Sequence, residues 1–156
     1  MSKESMATLQ MLLDRATQER DRLAGELRRG QEMALRARRQ GEQLAAYRGE
    51  YLQRWQGQFG RGGAIELVHC YQSFMQRLDE ALQQQQRQID AAERAVDAVR
   101  QALAQAEVRV AAVKKLIERR QADLQRAHER RDQRQTDETA QHLTRNRPRA
   151  GLAVQH

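Results

Sequence analysis

The sequence has one proline, Pro148, and one cysteine, Cys70, and aromatic residues make up only 4% of its 156 positions. A single cysteine rules out an internal disulfide and leaves no CxxC pair for a metal. A lone thiol suits a reducing compartment. With a mean hydropathy of −0.95, the chain holds too little apolar volume to fill a compact globule of its length. Long helices or disorder are the two remaining classes. The abundance of Ala, Gln, Glu, Arg and Leu favours helices, because these residues lose little rotamer freedom there. No apolar run is long enough for a membrane span, and no charged-then-apolar leader is seen. The expectation is a cytoplasmic chain that meets the cell membrane only peripherally, through a partner.

Glycine is absent between Gly63 and Gly151. Gly25, Gly30, Gly41 and Gly49 interrupt the first third, and Gly57, Gly60, Gly62 and Gly63 then cluster. The chain reads as segment, loop, long segment and tail.

What is present is a 3–4 alternation through both segments. In the first it passes through Leu13, Ala16, Arg20, Leu23, Leu27, Gly30, Ala34, Ala37, Gly41, Leu44, Arg48, Tyr51 and Trp55. In the second it runs from Tyr71 and Met75 to Leu124 and Ala127, and only Gln85 and Arg120 break it. Such spacing is the signature of a left-handed coiled coil. The expected fold is all-α: two long helices in an antiparallel coiled-coil hairpin, the second longer than the first. The expected bounds are 5–56 for helix one, 57–63 for the turn and 64–139 for helix two. The hairpin domain is placed at 1–143, with a disordered tail over 144–156. Each mid-helix glycine costs about 1 kcal/mol relative to alanine. Helix one is therefore the weaker partner, leaning on helix two. Folding back about the loop puts Tyr51 near Phe74 and Gln40 near Gln85, and the start of helix one near Arg120. The last turns of helix two are left without an intramolecular partner.

All six aromatic residues fall in one window: Tyr47, Tyr51, Trp55, Phe59, Tyr71 and Phe74. One explanation is that bulky rings wedge the helices apart at the turn and close the end of the core. That suits Tyr51 and Tyr71, which lie on the stripes, better than Tyr47 and Phe74, which flank them. Gln40, Leu44, Tyr47 and Tyr51 are spaced 4, 3, 4, and so are Phe74, Leu78, Ala81 and Gln85. Two such rows side by side are wider than a two-helix seam requires, which points to a protein-docking patch.

Net charge is +7. Basic and acidic residues alternate along both helices, as on a solvated coiled-coil surface; attraction to an acidic partner is the sharper alternative. No zipper basic region, helix-turn-helix or zinc pattern supports nucleic-acid binding. His69, His128, His142 and His156 lack metal-ligand spacing. No catalytic triad, Walker loop or GxGxxG motif is present. The expectation is a non-enzymatic chain with no cofactor, no metal and no small-molecule substrate.

The segment Gly25-Glu-Leu-Arg-Arg-Gly30 and the run Tyr47-Arg-Gly-Glu-Tyr51 resemble the first helix of the flagellar FliJ family. Tyr71-Gln-Ser-Phe74-Met-Gln-Arg-Leu78 is similar to that family's Y-Q-x-F-x-x-x-L block. Arg134-Gln-Thr-Asp137-Glu138-Thr-Ala140 is similar to its basic-x-x-D-E-x-A block. The resemblance covers about Leu9 to Arg147. It implies a stalk of the flagellar type III export ATPase, akin to the central stalk of rotary ATP synthases. It also implies association with the ATPase FliI, its regulator FliH, the export gate protein FlhA and the export chaperones of late flagellar substrates. The implied gate contact maps onto Gln40, Leu44, Tyr47, Tyr51, Phe74, Leu78, Ala81 and Gln85, although Gln85 replaces the family's usual histidine. The open end of the hairpin, with Arg119, Arg120, Leu124, Ala127, Arg130 and Arg131, is expected to meet the ATPase ring. Rival readings are the equivalent stalk protein of a virulence type III secretion system and a generic coiled-coil adaptor.

Overall fold

A computed structural model describes residues 3–147, with side chains from Ser5 onward. Two α-helices account for nearly all of it: α1, Lys3–Phe59, and α2, Ile65–Arg145. They pair as an antiparallel coiled-coil hairpin, and α2 is the longer.

The larger of two contact units, Ala16–Arg109, contains the turn. Its core is Leu23 from α1 with Met75, Leu78, Ile89, Val96 and Ala106 from α2. The second unit joins Met1–Arg15 to Val110–His156. There Leu9 packs in a core with Val110 and Ile117. Among the described residues two buried ones come from α1 and seven from α2, so the helices contribute unequally. Full burial of a Leu or Ile contributes about 1.5–3 kcal/mol, and α2 supplies most of it.

The heptad reading is reproduced position by position. Each stripe residue named from Leu13 to Trp55 is buried or half-buried, and so is each α2 stripe position up to Arg120. The glycines of α1 have a packing reason. A Cβ on Gly41 would lie 3.1 Å from Ile89 Cδ1, and one on Gly30 would lie 3.3 Å from Val96 Cγ2. Two core side chains of α2 thus fill holes that glycine leaves open.

The breaks in the stripes are satisfied by hydrogen bonds. The Gln85 amide donates to the Ala37 carbonyl at 2.8 Å and lies 3.4 Å from Gln40 Oε1. Arg48 turns to Asp79 across the seam, 2.6 Å away. In the other unit, Arg120 donates to Ser5 Oγ.

The connection is 60–64. Gly60 N–H donates to Gln56 O at 3.2 Å, and Gly62 N–H to Phe59 O at 3.2 Å. Gly62 sits at φ 82°, a left-handed conformation that glycine adopts without steric cost. Ala64 then opens α2, its carbonyl accepting from Leu67 and Val68 N–H.

Both helices run past their expected ends, α1 to Phe59 instead of 56 and α2 to Arg145 instead of 139. Gly57 does not stop α1. The last turns of α2 have no apolar stripe to mark them, but Thr136, Thr139 and Thr144 each return a hydroxyl bond of 2.8 Å to the carbonyl four residues back. Thr144 and Arg145, expected in a tail, are helical; residues 148–156 lie outside those described.

Candidate functional site

The aromatic window becomes one continuous cluster within the larger unit. Tyr51 is at its centre, its ring centroid 4.3 Å from Phe74, 5.8 Å from Trp55, 6.3 Å from Tyr47 and 6.4 Å from Tyr71. Phe59 continues it toward the turn, 5.3 Å from both Trp55 and Tyr71. Tyr47 and Phe74 meet edge-on across the seam at 6.4 Å. Such pairs add about 0.5–1.5 kcal/mol each beyond their buried area.

Core closure and docking divide along this cluster. Tyr51, Trp55, Phe59, Tyr71 and Phe74 are half-buried among one another. Tyr47 stays 47% exposed. Of the other residues in the two rows, Gln40 is exposed, Leu44, Ala81 and Gln85 are half-buried, and Leu78 is buried. The rows do come together, with Gln40 beside Gln85 and Tyr47 beside Phe74. Leu78 lies beneath them as part of the core and offers little surface of its own.

The second group lies on α2 in the other unit. Arg119, Leu124, Ala127, Arg130 and Arg131 are all exposed, and Leu124 is an exposed large hydrophobic at 41%. From Gln121 to Arg147 every residue is exposed. Arg120 differs, half-buried and bonded to Ser5. The side chains of this stretch bond along the helix: Arg126 pairs with Asp123 at 3.0 Å, and Arg130 Nε donates to Arg126 O at 3.4 Å.

Electrostatics are mild. The Glu19 carboxyl is lowered from its ordinary pKa, chiefly by its hydrogen bond from Arg22, against desolvation, with attraction from the Arg22 and Arg109 charges adding to it. Arg48 is pushed up by its bond to Asp79. Among the described residues no group of three or more His, Cys, Asp or Glu could hold a metal ion, and no helix is long and apolar enough to cross a membrane.

The comparisons with known proteins bear on what this arrangement belongs to. The family model described as Flagellar FliJ protein matches residues 5–149. The chain belongs to the flagellar FliJ family. The Flagellar FliJ protein of Salmonella typhi is 30% identical over 144 residues, covering 92% of this chain and 96% of that protein. The Flagellar FliJ protein of Escherichia coli strain K12 is 29% identical with the same coverage. No solved structure matches the chain. The docking positions from Gln40 to Arg131 all fall inside the span matched by the FliJ family.

Three features escaped the sequence reading. The inter-helix pairs Arg38–Glu93 and Arg48–Asp79 depend on axial alignment, which heptad lettering does not supply. Met33, 65% exposed, lay unnoticed in a row with Gln40 and Tyr47, although the sevenfold spacing was there to see.

Proposed function

We propose that the chain is a non-enzymatic component of the bacterial flagellar type III export apparatus that links the export ATPase to the export gate. The partners in this reading are the ATPase FliI with its regulator FliH, the gate protein FlhA and the export chaperones of late substrates. The chain works in the cytoplasm, at the inner face of the cell membrane through that apparatus. Flagellum assembly, motility and hence chemotaxis depend on it.

The observation that carries this reading is the aromatic face of a FliJ-family hairpin, with Tyr47 half exposed above a self-packed ring cluster. Its rings are already ordered against one another, so a partner that covers them loses little side-chain freedom. The gate docks here, over Gln40, Leu44, Tyr47, Tyr51, Phe74, Ala81 and Gln85. The exposed end of α2, with Arg119, Leu124, Ala127, Arg130 and Arg131, meets the ATPase ring. Contacts at both places let the state of the ATPase bias the gate, a coupling between two sites.

The test is a binding assay of the purified chain against the flagellar ATPase and the cytoplasmic part of FlhA, with a motility and flagellin-secretion assay on a strain lacking the gene. Binding to both, and loss of secretion, are expected. Binding to neither, with salt-sensitive DNA binding instead, would sink the reading.

A further inference from the structure

The two sides of the hairpin seam differ in charge within the unit Ala16–Arg109. On one side the helices are bridged by Arg38–Glu93 and Arg48–Asp79. On the other side, marked by the Tyr47–Phe74 contact, the flanking rows carry no charge from Met33 to Tyr47 on α1 and from Phe74 to Ala95 on α2, and Glu26 and Arg54 bound the strip on α1. Stepping back by sevens from Tyr47 gives Gln40 and Met33 on α1; stepping on from Phe74 gives Ala81, Gln88 and Ala95 on α2. The seam residues next to these rows, Ala37, Leu44 and Tyr51 on α1 and Leu78, Gln85 and Ala92 on α2, are also uncharged, and the charged seam residue Arg48 turns to Asp79 on the bridged side. In a chain that is 31% charged, so long a neutral strip is a marked departure. It is also accessible: Met33 is 65% and Tyr47 47% exposed, and Gln40, Gln88 and Ala95 are exposed.

We infer that this strip, from Met33 and Ala95 to Tyr51 and Phe74, receives one α-helix of the partner as a third strand of the coiled coil, through an uncharged stripe on that helix. The inference rests on the gate-docking reading and extends its site by one heptad on α1, from Gln40 to Met33, and to Ala95 on α2. The shape supports it. By the rise of an α-helix the strip is about 27 Å long on α1, from Met33 to Tyr51, and about 31 Å on α2, from Phe74 to Ala95, and the side of a helix pair can seat one more helix along it. The chemistry also supports it. A charged stripe would lose its hydration here and find no counter-ion within the strip itself. Alanines at 81 and 95 allow close approach, while Met33 and Tyr47 supply adaptable and aromatic anchors. A second copy of this chain is the poorer occupant, because two molecules of net charge +7 repel when laid side by side.

The test uses the full chain and the purified cytoplasmic part of the gate protein. Met33→Glu and Ala95→Glu each place a carboxylate on the strip at an exposed helical position, so the fold is retained, as circular dichroism checks. Each is expected to weaken binding at least about tenfold, while Arg38→Ala on the bridged side leaves it unchanged. Wild-type affinity is expected to move less than about twofold between about 0.1 and 1 M salt. Photo-crosslinking from position 33 is expected to capture a gate segment with uncharged residues at i, i+3, i+4 and i+7. If Tyr47→Ala plus Phe74→Ala weakens binding but the two Glu variants bind like wild type, the gate reading stands and the third-strand inference falls. If the ring variants also bind like wild type, both fall. A free chain that sediments as a dimer, and as a monomer with Met33→Glu, gives the strip to a second copy and overturns the inference. A captured segment that is charged overturns it too.

Discussion

Glycine at three positions of α1 has three different consequences. Nothing lies within 4 Å of a Cβ built on Gly49, so Gly49→Ala gains helix propensity with no steric cost and is expected to stabilise the chain by about 1 kcal/mol. At Gly41 the same gain is opposed by Ile89 Cδ1 at 3.1 Å, so Gly41→Ala is expected to stabilise less or to destabilise. Gly30→Ala, facing Val96 at 3.3 Å, falls between. Urea midpoints of the three variants check the order. Glu19 provides a pH handle. Its folded-state pKa lies below its unfolded one, chiefly through Arg22, so its stabilising share is present above about pH 4.5 and is lost as pH falls below that. Acid titration of helicity in Glu19→Gln should lack that share. At the docking face, Tyr47→Ala plus Phe74→Ala is expected to weaken gate binding while helicity stays within error; a collapse of helicity would mean that the rings serve only to close the core.

The two helices differ as elements. Of the nine buried core residues among those described, α1 supplies two and α2 seven. α2 nevertheless starts poorly, because Ala64 stands where an N-cap would be and has no side-chain acceptor for the first free N–H groups. Ala64→Asp is expected to stabilise the chain by about 1 kcal/mol, read as a higher urea midpoint with unchanged slope. At its other end α2 is exposed from Gln121 onward, held by propensity and local bonds. Amide exchange in 121–145 is expected to be fast in the free chain, against slow exchange around Ile89–Val110, and to slow when the ATPase is added. Unchanged exchange in that stretch would count against its entering a ring.

At the scale of the molecule, much of the fold was legible because one physical rule, the sevenfold return of a helix face, writes itself directly into sequence. The stripe from Leu13 to Trp55, its partner from Tyr71 to Arg120, and the pairing of Tyr51 with Phe74 and Gln40 with Gln85 all follow from it. The ends were less legible. Gly57 looked like a stop but is spanned by α1, and the last turns of α2 are helical with no apolar stripe to mark them. The aromatic patch was legible as a cluster; the neutrality of the strip next to it, from Met33 to Tyr47 and from Phe74 to Ala95, was not, because that needs both helices in register to be seen. The unequal core has a consequence for the severed chain. If a protease cut within 60–64, the two halves would not be equals. The α2 fragment carries a nearly unbroken apolar stripe and should pair with itself, remaining helical and oligomeric in solution. The α1 fragment, with glycines at its stripe positions, should be largely coil alone and fold only on mixing, as circular dichroism of the separate and combined fragments would report. The longer helix acts as a template, and the shorter one takes its structure from it.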